Sequence, residues 1–278
     1  MKYLIIIISL AIFSCQNQNA ENVSSRNDTL EIDSTSPSVE STPGRLIKGS
    51  LTLTPVTDSP DFPDAILELN TPDEKSKLKN NIVPFSYEVK NFELKGQTAD
   101  ASHKDCANSK QGQHIHLILN NAPYKAKYET KFNDTLQEGH YIALSFLSRS
   151  YHESLKHREA YDLRQFTVGK APATQVDLTK PLLFYSRPKG EYKGQEIKKV
   201  LLDFYLVNTT LGPDSNKVRA TINGNKFLID KWQPYAIEGL QPGESTIKLE
   251  LVDKAGKLIE GPYNSVERKI TLKEEATQ

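Results

Sequence analysis

From Ile47 onward the chain alternates apolar and polar positions in short runs: Ser50-Leu51-Thr52-Leu53, Ala65-Ile66-Leu67-Glu68-Leu69, Val83 to Leu94, and Gln111 to Leu119. A two-residue period sends successive side chains to opposite faces of a strand. Prolines and Asn, Asp and Gly turns separate the runs, and no segment carries a helical period. Many short strands with frequent turns predict an all-β chain built as sandwiches.

The pattern repeats. Ile66 to Pro72 matches Leu182 to Pro188, Val83 to Gly96 matches Lys199 to Gly212, Leu136 to Gly139 matches Leu240 to Gly243, and Gln165 to Val168 matches Lys269 to Leu272. The last two matches share one offset. The expected fold is therefore two tandem immunoglobulin-like β-sandwiches of about 100–120 residues each. The boundaries predicted are 47–170 for the first and 171–274 for the second, with Gly169 to Lys180 as linker.

Comparing the halves brings out the chemistry. In Gln111-Gly112-Gln113-His114-Ile115-His116-Leu117-Ile118-Leu119, His114 and His116 share one face of a strand. Their equivalents in the second half are Lys217 and Arg219. His140 aligns with Glu244 and His152 with Gly256, and no histidine follows His157. The fold thus does not need these histidines. Alternation places His114, His116 and His140 on the outer face of a sheet in the first sandwich, with Ile142, Leu144 and Phe146, and His152 in the loop that follows. An outer face that is apolar in one half and charged in the other predicts a cover. The candidates are the insertion Gln97–Gln113, the segment Ile47–Pro63, or a partner. Neutral imidazoles suit copper, zinc and nickel, and Cys106, carried on the insertion, would add a soft thiolate ligand favouring Cu(I) or Zn. His114, His116, His140, His152 and Cys106 are the candidate metal ligands. The alternative is a set of strand histidines that hold no ligand.

The first 46 residues read differently. Met1-Lys2-Tyr3 precedes Leu4 to Phe13, apolar except for Ser9. That run is shorter than the roughly 20 residues a bilayer span takes. It ends at Ile12-Phe13-Ser14-Cys15, which resembles a lipobox, so residues 1–15 are expected to be a lipoprotein signal with Cys15 acylated. The acyl chains would hold the chain to a membrane. Residues 16–46, rich in Ser, Thr, Asn, Asp, Glu and Pro, are too poor in apolar surface to fold and are expected to form a tether. The implied location is an outer-membrane lipoprotein, periplasmic or surface-facing. With 35 basic and 35 acidic residues in 278, the chain lacks the basic excess of a nucleic-acid binder. Once Cys15 is acylated, Cys106 has no cysteine left to pair with.

Ser148-Arg149-Ser150-Tyr151-His152-Glu153-Ser154-Leu155 is the most polar loop. Ser150-x-His152-x-x-Leu155 looks like the S-x-H-x-x-[IVL] signature of forkhead-associated phosphopeptide-binding domains. The Gly-Arg that serves such domains occurs here only at Gly44-Arg45, in the expected tether. Arg149, Ser150 and His152 are candidate anion-binding residues. Cys106-Ala107-Asn108-Ser109, Gly112 to His116, Pro123-Tyr124, Gly139-His140 and Phe146 to Ser154 resemble a Bacteroidota envelope lipoprotein family labelled "phosphopeptide-binding protein". That resemblance covers the first half densely and the second loosely. It implies a non-enzymatic envelope protein that binds a phosphopeptide or another anionic ligand, with envelope proteins or peptides as partners. No G-x-S-x-G, Gly-rich phosphate loop or H-E-x-x-H supports an enzyme. A copper- or zinc-binding protein and a plain interaction module are the other two readings.

Overall fold

The computed structural model describes residues 44–172 and 176–274. The expected signal, Cys15 and nearly all of the expected tether lie outside the described residues. The described chain opens with a hairpin, β1 (Leu46–Lys48) and β2 (Leu51–Pro55). The first sandwich follows as β3 (Ile66–Thr71), β4 (Lys77–Leu78), β5 (Ile82–Lys90), β6 (His114–Leu119), β7 (Lys125–Lys127), β8 (Lys131–Thr135), β9 (Gly139–Ser148) and β10 (Tyr161–Val168). The second is β11 (Leu182–Arg187), β12 (Gly190–Lys193), β13 (Val200–Val207), β14 (Lys217–Ile222), β15 (Asn225–Ile229), β16 (Tyr235–Glu238), β17 (Gly243–Val252) and β18 (Ser265–Lys273). Among the described residues there is no α-helix, and the fold is two immunoglobulin-like sandwiches in tandem.

The halves have one topology. The first packs sheet β3-β5-β8 against β4-β10-β9-β6-β7; the second packs β11-β13-β16 against β12-β18-β17-β14-β15. Each opening strand carries a register shift, at Leu69/Thr71 and Tyr185/Arg187, and then meets Pro72 or Pro188. Proline has no N–H for the ladder, so the strand ends there. The chain then crosses to the other sheet and pairs in parallel, β4 with β10 and β12 with β18. Side-chain facing follows the alternation. Ile115, Leu117 and Leu119 enter the first core with Phe85, Phe166 and Leu147, and Ile247, Leu249 and Leu251 enter the second.

The structure departs from the sequence expectation at the segment Ile47–Pro63. Its strand β2 pairs with β16 and so extends a sheet of the second sandwich, giving the order β1-β2-β16-β13-β11. Leu51 and Leu53 are buried in the second core. Gly239 (φ +86°) lets the hairpin approach: a Cβ there would lie 2.0 Å from Ser50 O. The chain therefore starts on one sandwich, builds the other, and returns.

The outer face of β6, β9 and β10 is covered neither by the insertion nor by Ile47–Pro63. The second sandwich covers it. Ile118, Ile142, Leu144 and Phe146 bury against Leu182, Phe184, Tyr205 and Val207 of β11 and β13. Asn121, in the β6–β7 turn, stitches the seam by donating to Leu183 O (3.1 Å) and accepting from Tyr185 N (2.9 Å).

Leu53 tests the crossed-over hairpin. Leu53→Ala should cost about 2–5 kcal/mol, the range for a buried leucine. Hydrogen exchange should then accelerate in β13 and β16 while β5 and β8 keep their protection. Loosening of the first sandwich instead would contradict the strand assignment.

Candidate functional site

Strand β6 begins where the insertion ends. Gly112 (φ +81°) sits so close to the Lys95–Gly96 backbone that a Cβ would lie 2.3 Å from Lys95 O, so only glycine fits. Gln113 N donates to Gly96 O and Lys95 N to Gln113 O, which closes the insertion at its base. The Gly112 carbonyl then accepts from His114 Nδ1 at 2.8 Å. A carbonyl can only accept, so the proton is on Nδ1 and Nε2 presents a lone pair.

His116 lies two residues on, on the same face, and both rings are fully buried. Its Nδ1 is 3.2 Å from Ser186 Oγ of β11, across the seam. Its ring stacks on Tyr124, with centroids 3.5 Å apart and planes 8° from parallel. Its Nε2 is 2.9 Å from His114 Nε2.

His152 comes from the turn after β9. Arg149 N donates to Glu153 O and His152 N to Arg149 O; in the second sandwich Asp253 N donates to Lys257 O and Gly256 N to Asp253 O. The turns superpose in pattern, and the left-handed residue is Gly256 (φ +80°) in one and His152 (φ 73°) in the other. A non-glycine residue held there costs about 1–3 kcal/mol. The first sandwich bears that strain at the position that delivers an imidazole. His152 Nδ1 reaches His114 Nε2 at 3.2 Å and Tyr124 OH at 3.2 Å. The insertion holds this turn in place: Ser150 N donates to Thr98 Oγ1, Thr98 N donates to Ser150 Oγ, and Ser109 N to Ser150 O.

One ring nitrogen from each of His114, His116 and His152 thus lies within 4.8 Å of the other two. Hydrogen bonding alone does not account for this. His114 Nε2 has one in-plane lone pair but is approached by two ring nitrogens. Three nitrogens at about 2.0–2.1 Å from one tetrahedral ion would stand about 3.3 Å apart; the two pairs made by His114 stand at 2.9 and 3.2 Å, and the third pair, His116 and His152, lies within 4.8 Å. The rings are also neutral. Burial pushes His114 down to about 4, opposed by its bond to Gly112 and reinforced by Arg187 and Lys189. Burial likewise holds His116 and His152 well below the usual imidazole range. Neutral imidazole is the metal-binding form.

Two of the expected ligands do not join them. His140 shares the face, as alternation requires, but lies at the other end of β9, where Nδ1 meets Thr167 Oγ1 at 3.2 Å. His116 pairs with Phe146, six residues from His140, which is about 20 Å along a strand. Cys106 lines a separate cleft of about 250 Å³ with Asp58, His103, Lys104 and Lys199. Burial, with Glu153 adding to it, pushes its thiol up to about 11, which makes it a poor ligand. Of the expected anion-binding residues, Arg149 donates twice to Pro60 O and faces Glu153 at 3.7 Å, and Ser150 is tied to Thr98. Tyr124 and Ser186 carry no sign of these roles in the sequence: Ser186 lies 70 residues from His116, and Tyr124 meets that ring only through the turn between β6 and β7. The Pro123-Tyr124 pair was visible, but nothing nearby revealed what it stacks on.

Fold and site together define a two-sandwich all-β protein with a buried tri-histidine cluster at the seam. No protein-family model matches the chain, and no curated protein does. Among solved structures, it is similar to the fibronectin(III)-like modules of CbhA from Clostridium thermocellum (11% identity, 75% of this chain and 95% of that one, TM-score 0.27). It is also similar to the two tandem V-type regions of a v-region-containing chitin binding protein (9% identity, 75% and 99%, TM-score 0.22). Likeness at this level says nothing of what the chain binds.

The buried neutral histidines set a pH dependence. An unfolded imidazole takes up a proton near pH 6.5, whereas folded His114 does so only near 4. In that window the unfolded state binds more protons, so metal-free stability, complete above about pH 6.5, falls as pH drops toward 4. His114 alone accounts for a loss on the order of 3 kcal/mol. Denaturant unfolding of metal-free protein at several pH values between 7.5 and 4.5 should follow this slope, and His114→Gln should flatten it. Equal slopes in the two proteins would contradict the assignment.

Proposed function

We propose that this chain is a non-enzymatic metal-binding protein of the bacterial cell envelope, holding one Zn²⁺ or Cu²⁺ on His114, His116 and His152. The observation that carries the reading is the convergence of three neutral ring nitrogens, two of whose rings are fixed by oxygen partners on the other nitrogen. Such outer partners orient ligands in metal sites. The all-nitrogen donor set, without thiolate or carboxylate, suits zinc or Cu(II) and disfavours calcium and magnesium. It also removes the expectation of Cu(I) selection by Cys106. An anionic ligand on these histidines is the weaker reading, because neutral imidazoles supply no positive charge at pH 7 and the Arg149 fork is occupied. The lipobox-like Ile12 to Cys15 supports an acylated anchor and an envelope location.

Metal-depleted protein should retain one equivalent of Zn²⁺ or Cu²⁺ through gel filtration. His114→Ala or His116→Ala should weaken binding by about 100-fold or more, and Ser186→Ala by about 10-fold. His152→Gly is the sharper variant. It should abolish tight binding, yet leave the metal-free protein unchanged or up to about 1 kcal/mol more stable, because the left-handed strain is gone. His140→Ala and Cys106→Ser should bind as wild type. Binding that survives His116→Ala, or that is lost in Cys106→Ser, would refute the site.

A further inference from the structure

We propose that Arg187, Lys189 and Arg268 form a binding site for a small oxyanion, a phosphate or carboxylate group, at the seam between the sandwiches. The site is separate from the histidines and stands whether or not they hold a metal. All three cations come from the second sandwich and gather around tyrosines. Arg187 lies over the rings of Tyr124 (5.3 Å) and Tyr192 (6.0 Å), and Arg268 over Tyr185 (4.4 Å). Lys189 Nζ is 3.7 Å from the Tyr124 centroid. One face of that ring is taken by His116, so Lys189 covers the other.

Every hydrogen-bond acceptor these cations have is neutral. Arg187 donates to Tyr192 OH, Lys189 to Tyr124 O, and Arg268 to Ser186 O and Asn121 O. Among the described residues none of the three forms an ion pair, whereas the other cations sunk into this protein do. Arg149 faces Glu153, Lys156 faces Asp203, Lys104 faces Asp58 and Asp100, and Arg219 faces Glu250. Cation–π contact offsets only part of the cost of drawing a charge out of water, and three like charges also repel. Burial and this mutual repulsion hold Lys189 down to about 8, and burial holds Arg268 down to about 10.

Donors are also left over. Arg187 is 7% exposed, and its Nε has no acceptor. The Tyr185 hydroxyl beneath Arg268 is buried without a partner. A guanidinium with a free N–H beside an ammonium is the donor set that recognises a planar carboxylate or a phosphate. The missing counter-charge and the orphaned donor together specify an oxyanion.

The test is calorimetric titration of metal-depleted protein at pH 7 and fixed ionic strength with inorganic phosphate and, separately, with acetate. One saturable site per chain is expected for at least one of them, and the stronger arm identifies the class. Lys189→Met, at the partly exposed rim, and Arg187→Gln should each weaken it at least tenfold. Lys226→Met, an exposed lysine elsewhere, should not. Absence of saturable binding by either anion, or equal weakening in Lys226→Met and Lys189→Met, overturns the proposal. Should Arg187→Gln fail to fold, Lys189→Met decides alone.

Discussion

Two sheet faces buried against each other set the terms for everything else. Strands β6, β9 and β10 of the first sandwich turn Ile118, Ile142, Leu144 and Phe146 outward, onto Leu182, Phe184, Tyr205 and Val207 of the second. Full burial of such side chains is worth about 1.5–3 kcal/mol each. That offsets the cost of drying out two imidazoles, each of which has its Nδ1 paired with an oxygen. The same seam that stabilises the pair of domains therefore keeps His114 and His116 dry and neutral. The second sandwich shows the alternative. At the positions of His114 and His116 it carries Lys217 and Arg219, both partly exposed, and Arg219 pairs with Glu250.

Each histidine is positioned from a different direction. The Gly112 carbonyl, placed by the closed base of the insertion, fixes the first ring. Tyr124 and Ser186, one from each sandwich, clamp the second. The third rides a turn held to the insertion through Thr98 and Ser150. The insertion thus orients the cluster and adds no side chain to it. Preorganisation from several sides is what a metal site needs if its ligands are to meet in one geometry. The left-handed backbone at His152, where the twin turn has Gly256, is the local cost of that geometry.

Much of this was legible in the chain because strand alternation is a local signal. It gave the faces of β6 and β9, and the repeat aligned His152 with a glycine. Alternation fixes a face but not a position along a strand, which is why His140 was expected beside His114 and His116 and lies at the far end of β9. Cys106 sits in an irregular loop where no period constrains direction. The pairing of β2 with β16 joins residues 180 to 186 positions apart, such as Pro55 with Tyr235 and Thr52 with Glu238, and an alternating run carries no mark of its partner. Ser186 and Arg187 were equally silent, since their roles exist only once the second sandwich lies on the first.

The most direct test is X-ray absorption at the zinc edge of protein loaded with one equivalent of Zn²⁺. The account predicts a shell of nitrogen or oxygen scatterers at about 2.0–2.1 Å with the outer-shell signature of three imidazoles, unchanged in Cys106→Ser. A sulfur scatterer at about 2.3 Å, or a shell without imidazole scattering, would contradict a tri-histidine centre at the seam.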